Sequence, residues 1–228
     1  MESIKLVKNL YHDENGIYAL DTSNNKAHIF VRQGSLDSGC VIYSLVMLLI
    51  LQKWFTRKDI KSKAPCTSND FVDKFKKRFL YKLKGFCARG YNPRIVAQQL
   101  REINNDIAVE FYNTTNRKDK IESLELANII IKHLSEGTPV MLRYYNISQQ
   151  IAHAVLAIGL MKSESKVTFF CLDPSAPLRV YEFWNSIIES NIELNSSKLM
   201  VEGERVIIDG AMVINLCDCP LRSDSNPT

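Results

Sequence analysis

The chain has 228 residues, of which 46% are hydrophobic and 24% are charged. These are values of ordinary globular proteins, and they exclude disordered, collagen-like and coiled-coil chains. No stretch reaches the roughly 20 apolar residues of a membrane helix, and the N-terminal segment fits neither a secretory signal nor a transit peptide. We therefore expect a cytoplasmic protein that does not contact a membrane.

The net charge of +4 conceals a basic segment, residues 53–94, which carries 13 Lys or Arg against 3 acidic residues. Such a segment is usually a solvated face of an amphipathic helix. It also suits an acidic partner or a nucleic acid, although the sequence contains no nucleic-acid-binding motif.

The first 32 residues have the pattern of short strands. Segments 4–10 and 17–20 flank a polar stretch that ends in Asn15-Gly16, and this pair can provide the two positive φ angles of a tight hairpin turn. A third strand is predicted over 28–31. A polar loop with two glycines, 33–39, then leads into the longest apolar run.

Helices dominate the next segment. The run 40–54 has apolar residues on all sides and no breaker, which predicts a helix buried all round. The cap and turn signals predict three further helices, over 56–63 with Thr56 as its cap, over 68–84 with Ser68 or Asn69 as its cap, and over 94–103 opened by Asn92-Pro93.

Strands dominate the second half. A strand over 107–112 and an amphipathic helix over 121–134, ended by Gly137, are followed by four predicted strands: 139–145, 152–161, 166–172 and 204–214. Helices first and a mostly antiparallel sheet second indicate the α+β class.

The length favours one domain with two lobes. Its predicted parts are N-terminal strands at 1–32, a helical lobe at 33–105, a sheet lobe at 106–216 and a polar tail at 217–228.

The six cysteines, at positions 40, 66, 87, 171, 217 and 219, are too sparse and too irregular for a disulfide scaffold. We expect free thiols. A metal site built from Cys66, Cys87, Cys217 and Cys219 matches no zinc spacing, and the role of the last two remains open.

One set of residues has the composition of a thiol active site. Cys40 lies where the polar loop becomes the buried helix, and a helix N-terminus favours a thiolate. His153 interrupts an apolar strand, and Asp173 follows the next predicted strand, so adjacent antiparallel strands could place the carboxylate beside the imidazole. Gln33, one loop before Cys40, could provide an amide for an oxyanion.

Each residue also has a structural explanation when it is taken alone. Cys40 could be a buried thiol, His153 a core histidine, Asp173 a turn residue and Gln33 a loop residue. The other histidines, His12, His28 and His133, are weaker candidates for a base. The order of the four residue types is what points to nucleophilic catalysis.

The motifs QGSLDSGCVIYSLVMLL, IAHAVLAIGL and FFCLDPSAP resemble the papain-like cysteine peptidases, and most closely the bacteriocin-processing (double-glycine leader) peptidase-like branch. The chain departs from that branch in having Gly before the cysteine instead of after it. The resemblance implies a papain-like fold with a helical lobe led by the Cys40 helix and packed on the sheet. It also implies peptide-bond hydrolysis through a thioester, no cofactor, and roles for Cys40 as nucleophile, His153 as base, Asp173 as orienting group and Gln33 as oxyanion residue.

Two alternatives stay open. Transglutaminase-like enzymes and arylamine acetyltransferases use the same order of Cys, His and Asp to transfer an acyl group, although a shorter Cys-to-His separation is expected there. A catalytically silent papain-like domain that binds through its basic lobe is the other alternative.

Overall fold

The structure is a computed structural model that describes residues 3–34, 38–61, 70–81, 90–114, 123–163, 166–179, 181–191, 199–201 and 203–216. The strands are β1 (Lys5–Leu6), β2 (Tyr11–Asp13), β3 (Gly16–Leu20), β4 (Lys26–His28), β5 (Ile107–Asn113), β6 (Val140–Asn146), β7 (Ile151–Lys162), β8 (Lys166–Leu172), β9 (Ser186–Asn191), β10 (Leu199–Val201) and β11 (Glu204–Leu216). The helices are α1 (Cys40–Leu51), α2 (Arg57–Lys61), α3 (Phe71–Phe75), which continues as a π-helical segment (Lys76–Tyr81), α4 (Pro93–Ile103) and α5 (Ser123–Ser135).

The larger of two sheets has eight strands, and all its pairings are antiparallel. Its order is β1-β7-β6-β11-β10-β9-β8, with β5 on β11, and the path closes because β8 also pairs with β7. Residues 154–160 of β7 are buried without interruption, which explains why this strand is continuously apolar and does not alternate. The predicted α+β fold with a mostly antiparallel sheet is confirmed.

Helix α1 is buried from Val41 to Leu51 except at Tyr43, as its apolar composition predicts. It ends before residue 54 because Lys53 adopts a left-handed conformation, with φ of 66°. The N–H of Trp54 then donates to Leu49 O at 2.9 Å and that of Lys53 to Ile50 O at 2.9 Å. This is the Schellman arrangement, which satisfies the last carbonyl groups of a helix.

The shorter helices have side-chain caps. Thr56 and Asp59 cap α2 reciprocally, since the Asp59 carboxylate accepts from Thr56 N–H at 2.7 Å and the Thr56 hydroxyl accepts from Asp59 N–H at 3.3 Å. Asn92 caps α4, accepting from Arg94 N–H at 2.9 Å. At α3 the cap is Asp70, because its carboxylate reaches the third N–H of that helix. The expected caps Ser68 and Asn69 lie outside the described residues.

The N-terminal hairpin differs from its prediction in register. Asp13 pairs with Gly16, so the turn consists of residues 14 and 15, and only Gly16 has a positive φ, of 107°. The Asp13 carboxylate accepts from Asn15 N–H at 2.8 Å and stabilises this turn. The next strand, β4, lies earlier than expected, at Lys26–His28.

Strand β1 is shorter than predicted and belongs to the large sheet, where Leu6 pairs with Gly159 of β7. A Cβ at position 159 would lie 2.7 Å from Leu6 Cδ2 and 2.8 Å from Lys5 O, so the close approach of the two strands requires glycine there. The division at 32, 105 and 216 stays a prediction. The predicted tail 217–228 lies outside the described residues.

None of the helices in the described ranges is long and apolar enough to cross a membrane.

Candidate active site

Cys40 is the first residue of α1, with Gly39 as the N-cap residue. No side chain in the described part of the chain caps this helix, and its first turn contains no acidic residue. The N–H groups of Ile42 and Tyr43 both donate to Gly39 O, at 2.8 and 3.0 Å. Cys40 is half-buried, and as the first residue of α1 it lies at the positive end of the helix dipole.

His153 lies on β7 directly opposite Tyr144 of β6. Its ring Nε2 is 2.8 Å from Asp173 Oδ1, and the side chain is 16% exposed. The Tyr144 and His153 rings pack edge to face, with ring centroids 5.6 Å apart. The Cys40 side chain is also close enough to the imidazole to raise its pKa.

Ser44 holds the cysteine helix against the histidine strand. Its hydroxyl donates to Ala154 O at 3.1 Å in a fully buried contact. Ser44 lies one helical turn after Cys40 on the same face of α1, and Ala154 is next to His153. At the other end of the helix, Gln52 Nε2 donates to Ile214 O of β11 at 2.5 Å. These two bonds fix the position of the thiol relative to the imidazole.

Asp173 directly follows β8, whose Leu172 pairs with Leu156 of β7. The predicted adjacency of the two strands therefore brings the carboxylate beside His153. Asp173 is buried, and its Oδ1 also accepts from Ser175, from N–H at 2.7 Å and from Oγ at 2.6 Å.

The main chain of Asp173 is held by Asn185. Asn185 Oδ1 accepts from Asp173 N–H at 2.7 Å, and its Nδ2 donates to Asp173 O at 2.8 Å and to Ala176 O at 2.9 Å. One amide side chain thus engages both main-chain polar groups of the aspartate.

The contact between His153 and Asp173 raises the pKa of the imidazole and lowers the pKa of the carboxylate. Burial alone lowers the pKa of His153, but the hydrogen bonds to Asp173 and Cys40, together with the charges of these partners, raise it to about 10. Burial raises the pKa of Asp173, but the hydrogen bond and charge of His153 and the two bonds from Ser175 bring it below its usual value. The imidazolium and the carboxylate therefore coexist across the neutral pH range.

Gln33 is half-buried, and its main-chain N–H donates to Pro174 O at 2.7 Å. The backbone of Gln33 thus lies against the residue that follows Asp173. Its role as an oxyanion residue stays a prediction, and residues 35–37 of the intervening loop lie outside the described part.

Sequence reasoning missed Ser175 and Asn185. A serine two residues after an aspartate is a signal for a local turn, and this signal could have indicated Ser175. Asn185 is 12 residues from Asp173 and lies in a loop before β9, so no local pattern connects the two.

The other cysteines divide into two groups. Cys171 is a free, fully buried thiol whose pKa is raised by burial, which disfavours a nucleophilic role. Cys66, Cys87, Cys217 and Cys219 lie outside the described residues. Among the residues that are described, no three His, Cys, Asp or Glu side chains form a group that could hold a metal ion.

No family model and no curated protein matches the chain. Among solved structures, it is similar to UfSP from C. elegans, with a TM-score of 0.42 and 14% sequence identity. The match covers 92% of this chain and 34% of that one, so this chain spans about a third of the length of the UfSP chain. The function is therefore inferred from the geometry of the site.

Proposed function

We propose that this chain is a papain-like cysteine peptidase in which Cys40 is the nucleophile, His153 the acid and base, and Asp173 the group that orients the imidazole. The observation that supports this proposal is the placement of three side chains: Cys40 at the start of a buried helix, His153 close enough to Cys40 for the two to interact, and Asp173 in a hydrogen bond with the imidazole. A nucleophile, a base in contact with it and a third group that orients the base are the components of nucleophilic catalysis. Placement in the bacteriocin-processing branch depends on the sequence motifs alone.

In this mechanism His153 carries a proton before substrate arrives, because its pKa is about 10. A cation beside a thiol favours the thiolate, so Cys40 attacks the peptide carbonyl as a thiolate and forms a carbon–sulfur bond. The oxyanion accepts hydrogen bonds from Cys40 N–H and the Gln33 side-chain amide. His153 gives its proton to the leaving amine as the carbon–nitrogen bond breaks.

The thioester is then hydrolysed. The neutral His153 accepts a proton from water while the water oxygen attacks the carbonyl carbon. The carbon–sulfur bond breaks, the carboxylic acid leaves, and the thiolate and imidazolium are restored. Protein or peptide is therefore the proposed substrate class.

We expect Cys40 to be selectively alkylated at pH 6. An unperturbed thiol with pKa about 8.5 is only about 0.3% ionised there, whereas a thiolate paired with imidazolium reacts readily. The measurement is brief treatment with iodoacetamide followed by mass spectrometry of all six cysteines. The buried Cys171 provides an internal control, since it should label only after unfolding. A folded protein whose Cys40 stays unlabelled at pH 6 would contradict an activated nucleophile and favour the silent binding domain.

Product analysis separates hydrolysis from acyl transfer. We expect incubation of a peptide library in ¹⁸O water to give cleaved peptides with one heavy oxygen in each new carboxyl group, since water resolves the thioester. The same incubation with an added primary amine tests the alternative. If amide products predominate over acids at low amine concentration, the chain is an acyltransferase with the same triad.

The basic segment 53–94 remains a proposed contact surface for an acidic partner or a nucleic acid. Two of its three carboxylates, Asp59 and Asp70, are engaged as helix caps, and Arg78 is paired with Glu102. Salt-dependent binding of a polyanion in the absence of any thiol reactivity would favour the silent domain over the peptidase.

A further inference from the structure

Asp173 Oδ1 is a crowded acceptor. It lies 2.8 Å from His153 Nε2, 2.7 Å from Ser175 N and 2.6 Å from Ser175 Oγ. A carboxylate oxygen has two lone pairs, so three donors must share the electron density of one atom. The Ser175 hydroxyl is also 3.4 Å from His153 Nε2, which places the serine beside the bond that orients the imidazole.

The two hydrogen bonds from Ser175 make the Asp173 carboxylate less basic, whereas the imidazolium is held more tightly by a more basic carboxylate. A hydrogen bond to an ionised carboxylate is stronger than one between neutral groups, and it withdraws charge from the oxygen that receives it. Each bond from Ser175 therefore weakens the hold of Asp173 on the proton of His153. The N–H bond is a property of the turn, whereas the hydroxyl bond depends on the side chain alone.

Asn185 allows these two effects to be separated. Because Asn185 engages the N–H and the C=O of Asp173, the aspartate main chain remains held when the Ser175 hydroxyl is removed. Ser175 itself is exposed, so loss of its hydroxyl leaves no buried cavity. The carboxylate can then turn its full acceptor capacity towards the imidazole.

We propose that Ser175 is a positioning residue whose hydroxyl competes with His153 for Asp173 Oδ1 and so limits how tightly the carboxylate holds the imidazolium proton. The catalytic consequence of this inference rests on the proposed peptidase function. Its consequence there is that His153 releases its proton to the leaving amine more easily than it would with an undivided carboxylate.

The described groups that face His153 and Asp173 come from several elements. His153 meets the Asp173 carboxylate, the Cys40 thiol at the start of α1, and the Tyr144 ring on β6. Asp173 meets His153 and lies close enough to the buried Cys171 thiol of β8 to raise its pKa. Cys40 is the strongest of these other influences on His153, and removing it simplifies the titration.

The test is an NMR titration of His153 in Cys40→Ala protein, with and without Ser175→Ala. We expect Ser175→Ala to raise the titration midpoint of His153 by about half a unit or more, because the carboxylate becomes a better acceptor. Ser175→Thr keeps the hydroxyl and should return the midpoint to its starting value. Ser163→Ala, just after the far end of β7, removes a hydroxyl that bonds the main chain of Lys166, and it should leave the midpoint unchanged.

An unchanged or lowered midpoint in Ser175→Ala would overturn the inference, and so would a Ser175→Thr protein that behaves like the alanine variant. Failure of the proposed function gives a different result. Cys40 would then remain unreactive at pH 6 in the otherwise unaltered protein, whatever the midpoint of His153. In active protein, Ser175→Ala should lower kcat more than it changes KM, since the hydroxyl acts on proton release and not on substrate binding.

Discussion

Replacement of Cys40 by alanine is expected to reduce peptide hydrolysis by about 10³-fold or more, because no other group can form the thioester. The fold should persist. Cys40 is half-buried at the first position of α1, where alanine fits a helix well, and Ser44 continues to hold the helix to β7. The measurements are the rate of peptide cleavage and the thermal unfolding midpoint.

Two further variants sharpen this prediction. Cys40→Ser keeps the shape of the side chain but offers a hydroxyl that His153 cannot readily deprotonate, so it should be nearly as inactive as alanine. Cys171→Ala is the matched control, because it removes a buried thiol of β8. It should keep its turnover while losing about 1 kcal/mol of stability from the small cavity. Cleavage that survives in Cys40→Ala and disappears in Cys171→Ala would contradict the prediction, because Cys171 would then be the nucleophile.

The parts of the site that the sequence predicted are those with a local signal. The polar loop before an apolar run predicted the start of α1 at Cys40, and an imidazole inside an apolar strand marked His153. The proximity of Asp173 to His153 was predicted from one assumption, that β7 and β8 are neighbouring antiparallel strands. Strands that are consecutive in sequence are commonly adjacent in a sheet, and the antiparallel pairing of β8 with β7 confirms this assumption.

The parts that it did not predict depend on distant contacts. Strands β9 and β10 are short and lack a clear alternation, and they exist because β8 and β11 provide hydrogen-bonding edges for them. Strand β1 pairs with β7 and not with the N-terminal hairpin, because Gly159 allows the two strands to approach closely. The hold of Asn185 on Asp173 spans a loop whose path no local pattern specifies. Such tertiary effects override short-range propensity.

Asp173→Asn is expected to change the pH dependence of Cys40 alkylation. In the unaltered protein His153 has a pKa of about 10, so the imidazolium persists and the rate should vary little between pH 6 and 9. Without the carboxylate charge the pKa of His153 falls, because Asp173 is the largest of the influences that raise it. The imidazolium that favours the thiolate is then lost within this pH range, so the rate of alkylation should vary with pH between 6 and 9 instead of staying level.

The same substitution should alter stability with a defined sign. The raised pKa of His153 means that its charged form stabilises the fold fully below about pH 6.5, a stabilisation that is lost as the pH rises through about 10. The lowered pKa of Asp173 means that its contribution is full above about pH 4 and is lost as the pH falls further. Urea unfolding should therefore show the largest deficit of Asp173→Asn between about pH 4 and 6.5.

Asp21→Asn is the matched control for both measurements, because within the described part of the chain the Asp21 carboxylate accepts from main-chain N–H groups of its own turn, at Ser23 and Asn25. Its alkylation profile should match that of the unaltered protein. A flat profile in Asp173→Asn would mean that Cys40 is activated without the carboxylate, by the N-terminus of α1 and the imidazole alone. The role of Asp173 would then be limited to holding the ring in place.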